Sequence, residues 1–269
     1  MSASINDYII EGGSDGKSRL NILAEVLHSY TKALLHQQGI ADGMSVLDAG
    51  CGGGHVALLL ANLVGDGGHV TAIDLDVEMI ALAERDAKTA RVSNISFKAI
   101  NTYDINYDDE FDAAYARFLL SHLKKPMDAL LKMKQGIKTG GKIIVEDVQF
   151  IGHFCYPRCD AFDRYVNYYT QAANYKGADP EIGPKLVALF KEVGLINIGF
   201  DTIQPCFYSG QGKWMACVTL KNIKAALLEH HIVTPHEFDE TLRELEEFTA
   251  SSHTLISLPR IFRVWGTKN

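Results

Sequence analysis

Long apolar runs are missing from this sequence, and so are dense runs of basic charge. The longest apolar stretches fall well short of the roughly 20 residues that a membrane-spanning helix needs, so no transmembrane segment is expected. Lysine and arginine total 26 against 33 acidic residues, a net charge of −7. A nucleic-acid binder needs a concentrated cationic field to neutralise phosphates, so nucleic acid is not an expected partner. Cysteine is scarce: Cys51, Cys155, Cys159, Cys206 and Cys217 give an odd count with no CxxC pair. That usage suits reduced thiols in a cytoplasm better than a disulfide framework. In "HFCYPRC" the Cys-x3-Cys spacing lacks a second pair, so no metal is expected. The first twenty residues carry neither a positive nor an apolar leader region, and no secretory signal is expected.

What is present is a regular alternation. Residues 18–38 place apolar side chains at helical spacing. From "SVLDAG" onward, short apolar runs alternate with helical patterns: "HVTAIDL", "ISFKAIN", a run near 111–116, then "KIIVEDVQF" after a "TGG" turn. Strands without polar alternation, separated by helices, are the pattern of a parallel sheet covered on both faces. The expected fold is a doubly wound, mostly parallel α/β sheet. After residue 150 the texture changes. Segments 151–176 and 212–256 read as helical insertions, the second splitting at "VTP", where Thr234 is placed to cap a helix opened by Pro235. Residues 1–40 read as an N-terminal helical cap on a single domain spanning 1–269.

In "VLDAGCGGGHVALLL", residues 46–60, a strand ends at Asp48 and a helix begins near Gly54, with four glycines among residues 50–54. Ligands of open α/β sheets bind at such strand ends. Gly50, Gly52 and Gly54 let a ligand lie against bare backbone, beside the unpaired N–H groups of a helix N-terminus. One strand later Asp74, 20 positions beyond Gly54, is set to accept the two hydroxyls of a ribose. A dinucleotide site would read G-x-G-x-x-G. Here the order is D-x-G-x-G-x-G, His55 stands where the last glycine should be, and an acid sits where it would repel a pyrophosphate but welcome an ammonium.

That polarity fits S-adenosylmethionine, and the stretch resembles the first motif of class I S-adenosylmethionine-dependent methyltransferases. "VTAIDLDVEMIALAERDA" resembles the family's second motif, "FDAAYARFLLSHLKKP" its fourth-strand region and "IKTGGKIIVED" its fifth, with Trp265 in "RVWGTK" a looser match. The resemblance implies a Rossmann-like seven-stranded sheet with helices on both faces and the helical insertions forming a lid. It implies S-adenosylmethionine as cofactor, S-adenosylhomocysteine as product and methyl transfer to a small molecule. On its motifs, Asp48, Gly50, Cys51, Gly52, Gly54 and Arg117 would contact the cofactor, Asp74 its ribose, and Leu75 and Met79 its adenine. For the adenine amine the alignment offers Asn101 with the Thr102 backbone, or Asp104 with a longer loop. "DYIIEGGSDGKSRL" is like a leading segment that folds over the cofactor, with Tyr8 and Arg19 meeting the methionyl end; the other possibility is an ordinary solvated helix start.

Methyl transfer from a sulfonium is an in-line displacement that mainly needs alignment and a dry site. A base is optional. His122, Glu146, Asp147 and His153 stand at strand ends, His122, His153 and Asp147 being the catalytic candidates; packing or capping is the other role open to such a histidine. Phe154, Tyr156, Phe162, Tyr165, Tyr168 and Tyr169 form either an aromatic acceptor face or the core of a lid helix. The fourth strand carries no Asn/Asp-Pro-Pro-Tyr/Phe motif, which disfavours the exocyclic amines of DNA bases. A nicotinamide oxidoreductase and a non-catalytic S-adenosylmethionine-binding module are the alternatives.

Overall fold

The computed structural model describes residues 13–269, so Tyr8 lies outside the described residues. Among these the helices are α1 (Gly13–Gln37), α2 (His55–Val64), α3 (Val77–Thr89), α4 (Pro126–Gly136), α5 (Asp160–Tyr175), α6 (Leu186–Glu192), α7 (Met215–Asn222), α8 (Lys224–Glu229) and α9 (Pro235–Ala250). The strands are β1 (Ser45–Ala49), β2 (His69–Asp74), β3 (Ile95–Ala99), β4 (Phe111–Arg117), β5 (Ile137–Gln149), β6 (Cys155–Tyr156), β7 (Leu195–Ile203), β8 (Cys206–Phe207), β9 (Leu255–Ser257) and β10 (Arg260–Lys268).

Seven strands form one sheet in the order β3-β2-β1-β4-β5-β10-β7. β3 to β5 run parallel, and β10 enters antiparallel to both its neighbours. Of β1's five residues only Ser45 is not fully buried, which is why these strands read as continuous apolar runs. The order reverses between β1 and β4, so the loops leaving both open a crevice at their C-terminal ends. The "TGG" turn is there, but inside β5: Phe111 pairs with Ile137 and Ala113 with Lys142, leaving 138–141 as a bulge with Gly140 at φ 81°. "INIGFDTIQPCF" also divides. β7 joins the main sheet, while β8 joins β9 and β6 in a small second sheet.

The insertions fold into a helical layer of α5, α7, α8 and α9 with its own apolar core, in which Phe162, Leu220, Phe238 and Leu245 are buried. Each such side chain contributes about 2 kcal/mol of burial. Thr234 caps α9 as its sequence implies. Its hydroxyl accepts from the Glu237 N–H while the Glu237 carboxylate accepts from the Thr234 N–H at 2.8 Å, with Pro235 in the first turn. α1 lies across both the sheet side and the helical layer, contacting α2, α3 and α7. No helix among the described residues is long and apolar enough to cross a membrane.

Candidate active site

The loop between β1 and α2 takes a shape only glycine adopts cheaply. Gly50, Gly52 and Gly54 have φ of 71°, 49° and 78°, in the left-handed region. Their spaces differ in use. A Cβ on Gly50 would come within 2.8 Å of Leu119 Cδ1, and one on Gly52 within 3.2 Å of Leu20 on α1. At Gly54 the obstacle is Ala83 Cβ at 2.8 Å, with the Phe97 ring beyond. Gly54 therefore serves close packing of α2 on α3 and β3; it does not line the cleft, contrary to its expected ligand role. The loop is pinned to β2: Gly50 and Cys51 N–H groups both donate to the Ile73 carbonyl, at 2.8 and 2.9 Å. The Gly52 N–H donates to the Asp74 carboxylate at 2.8 Å and the Asp76 N–H to its other oxygen at 2.9 Å. Each carboxylate oxygen keeps a second lone pair for a ligand.

Above this floor lies a solvent-open cleft of about 1180 Å³. Asp48, Gly50, Cys51, Gly52 and Asp74 line one side. Leu75, Met79, Arg117 and Arg19 line it further along. Leu20, Leu23 and Phe118 line it too. The two leucines belong to the apolar face of α1, and Leu20 ends the segment that the resemblance folds over the cofactor. Phe118 adopts φ 53° just past β4, a turn its sequence does not announce.

Asp48 is almost wholly buried. Burial pushes its pKa up to about 7 in spite of the nearby Arg117 guanidinium, and Asp74 adds to the rise. Its Oδ2 has no hydrogen-bond partner among the described residues. An unpartnered buried carboxylate oxygen is costly until a donor arrives, and an ammonium fits where a pyrophosphate would be repelled. Arg117 donates to Thr31 of α1 at 3.2 Å. Thr31 and Tyr115 hydroxyls in turn donate to the buried Glu146 carboxylate at 2.8 and 2.6 Å. Glu146 thus ties α1 to the sheet beneath the cleft.

Three further expectations are corrected by placement. The Asn101 side chain accepts from the Tyr103 N–H at 3.1 Å and caps the short helical turn 102–104. Neither Asn101 nor Thr102, which is buried, lines the cleft; Asp104 is exposed and lies off it as well. Asp147 is fully buried and its carboxylate accepts from the Ser121 and Val148 N–H groups at 3.0 and 2.9 Å. The Ser121 hydroxyl and Leu120 N–H also hold it, while burial pushes it up to about 6. It lines neither cavity, because its donors occupy it as a strut for the 118–122 turn.

A second, narrower and partly open pocket adjoins the cleft and shares Arg19, Leu23, Phe118 and His122 with it. Tyr165 and Tyr169 of α5 and Met215 and Thr219 of α7 close one side. Phe150, Val148 and His153 close the other. The aromatic insertion is divided by placement. Phe162 and Tyr168 fill the helical core, Tyr165 and Tyr169 belong to that core and also face the cavity, while Phe154 and Tyr156 are exposed. Burial pulls both His122 and His153 down to about 4, and the Arg19 charge adds to each. Both are neutral at pH 7. His153 Nδ1 lies 2.7 Å from the Phe150 carbonyl, which can only accept, so Nδ1 carries the hydrogen and Nε2 is bare. Among the described residues no group of three or more His, Cys, Asp or Glu side chains is placed to hold a metal.

A family model described as a methyltransferase domain matches residues 40–178. The chain is 24% identical over 188 residues to the demethylmenaquinone methyltransferase of Halalkalibacterium halodurans, covering 63% of this chain and 75% of that protein. It is 27% identical over 237 residues to the (S)-coclaurine N-methyltransferase of Papaver somniferum, covering 85% of this chain and 60% of that one. This chain thus spans three-quarters of the first relative and three-fifths of the second. Among solved structures, the YcgJ protein of Bacillus subtilis superposes with a TM-score of 0.62 at 16% identity, over 90% of this chain and 99% of that one. The matched segment is more than half of the chain and holds the glycine floor, Asp48, Asp74 and Arg117, and the chain accordingly belongs to the methyltransferase-domain family, the class I enzymes that use S-adenosylmethionine.

Proposed function

We propose that this enzyme methylates a flat or apolar small molecule held in the second cavity, under the helical layer, and that it does so in the cytoplasm. The observation that carries this reading is the junction of the two cavities at Arg19, Leu23, Phe118 and His122. When bound, S-adenosylmethionine supplies a methyl group on a sulfonium, a carbon already activated for displacement. The chain's own residues bind, orient and dry. Asp48 receives the ammonium end, with Arg117 beside it to balance charge; Asp74 receives the ribose; Leu75 and Met79 pack the adenine. Leu23, Phe118, Met215 and Val148 keep water from the junction, which strengthens every polar contact inside it. His122 and His153, both uncharged, offer hydrogen-bonding nitrogens and no fixed charge. The five cysteines are all free thiols, in keeping with a reducing compartment. The acidic chain and the aromatic lining of the second cavity support a small molecule over nucleic acid.

Titration calorimetry with S-adenosylmethionine, S-adenosylhomocysteine and NADH tests the cofactor side. Micromolar binding of the first two and none of the third is expected. Release of S-adenosylhomocysteine on incubation with a panel of small aromatic acceptors, and none with oligonucleotides, tests the acceptor side. Turnover of oligonucleotides alone overturns it.

A further inference from the structure

The second cavity has one fixed charge. Among the described residues that line it, Arg19 is the sole cation at neutral pH and no carboxylate is present. The remaining polar groups are neutral hydroxyls and imidazoles: Tyr165, Tyr169, Thr219, Ser121, His122 and His153. Arg19 is half-buried on α1, and its Nε donates to the Thr219 hydroxyl at 3.1 Å. That bond fixes the guanidinium toward α7 and leaves its other N–H groups to a ligand. Burial lowers the Arg19 pKa, and among the described residues no carboxylate stands in ion-pair range of its guanidinium, an arrangement that is costly until an anion arrives.

The surroundings of Arg19 show where its charge is felt. Its guanidinium counters the rise of Tyr165 and Tyr169, the latter pushed up to about 12 by burial, and it holds His122 and His153 down. All four are walls of the second cavity. The charge that opposes the rise of Asp48, at the cofactor's expected methionyl end, is that of Arg117 instead.

We infer that Arg19 selects acceptors carrying an anionic oxygen on a flat ring, a phenolate above all, and turns away acceptors that carry an ammonium. This deepens the proposed function and rests on the second cavity being the acceptor site. The specificity comes from the sign of the one described charge: the arginine offers charge-assisted hydrogen bonds to an oxyanion and repels an ammonium, for which the described lining holds no carboxylate.

The test uses 4-nitrophenol, whose phenolate is coloured, with benzylamine as a cationic probe of similar size, on the protein loaded with S-adenosylhomocysteine. Wild type is expected to bind 4-nitrophenol as its anion and to lower the pH at which the bound colour appears; benzylamine does not displace it. Arg19→Gln is expected to weaken 4-nitrophenol by about tenfold or more and to return the colour transition to its free position. Arg19→Lys restores much of the shift. S-adenosylhomocysteine affinity, measured by calorimetry on each variant, falls by less than 4-nitrophenol affinity does. Loss of S-adenosylhomocysteine binding in Arg19→Gln with 4-nitrophenol unaffected would assign Arg19 to the methionyl carboxylate and overturn the inference. No binding of 4-nitrophenol by wild type, or equal binding of benzylamine, also overturns it. Failure of wild type to bind S-adenosylhomocysteine is a different result, since it removes the cofactor reading itself.

Discussion

Gly52 and Asp74 are joined by a 2.8 Å hydrogen bond from the loop N–H to the carboxylate. The acid that is to receive the ribose is thus also the clasp that closes the glycine loop onto β2. One substitution should undo both. Asp74→Ala should weaken S-adenosylmethionine by about 1–3 kcal/mol, the range for a charged hydrogen-bond partner. Calorimetry at fixed pH checks it, and unchanged affinity would place the ribose elsewhere.

Asp48 gives a pH dependence of stability whose sign follows from its environment. Folding raises its pKa from 3.8 to about 7. The folded chain then keeps a proton that the unfolded chain has released. The stability this group contributes is full below about pH 4 and lost as the pH rises through about 7. Asp48→Asn should remove that loss, stabilising the ligand-free protein by up to about 4 kcal/mol at pH 8 and far less at pH 4. Urea unfolding at the two pH values reads the difference. The same variant should bind S-adenosylmethionine at least about tenfold more weakly, since the ammonium loses its charge partner.

His122 and His153 work in the opposite direction. Their pKa values fall from 6.5 to about 4 on folding, so the unfolded chain takes up protons first as the pH drops from about 6.5 to about 4, and stability is lost across that window. The tautomer is a separate expectation. Long-range nitrogen–proton NMR at pH 7 should show His153 protonated at Nδ1 and bare at Nε2, set by the Phe150 carbonyl 2.7 Å away. The reverse tautomer would mean the ring is turned.

Gly54 and Gly52 should respond differently to the same added methyl. Gly54→Ala strains a left-handed residue and drives Cβ to 2.8 Å from Ala83, which should cost about 2–5 kcal/mol of stability. Gly52→Ala meets only the tip of Leu20 at 3.2 Å, so its stability loss should stay near the backbone strain of about 1–2 kcal/mol. Its main effect should be on S-adenosylmethionine affinity, because the methyl stands in the ligand's floor. Melting curves and calorimetry on both variants separate the two.

These glycines also show where the sequence stopped being informative. Their number and spacing carry the need for bare backbone, and the D-x-G-x-G-x-G order carries the polarity of the ligand. What presses on each is set by residues far along the chain, Ala83 and Phe97 for Gly54 and Leu20 for Gly52. No local pattern names those neighbours. Asn101 and Asp147 fail for a related reason: each is the right residue type at a strand end, but backbone donors from the next turn claim its oxygens first. The main strands were readable because burial on both faces removes polar alternation. β6, β8 and β9, two or three residues each, are held by pairing across the chain and have no period of their own.

The helical layer draws its apolar core entirely from residues 150–256, while the sheet is packed by separate clusters. A further cluster joins Met215 and Val218 of α7 to Leu23 and Leu27 of α1 and to Val148 and Ile261 of the sheet, so the layer is fastened to the sheet through α1 and α7. Local opening is expected to be easiest where α5, α8 and α9 pack on one another and hardest where α7 meets α1 and the sheet. Amide exchange would record this as earlier labelling of α5 and α9 than of α7 and the parallel sheet.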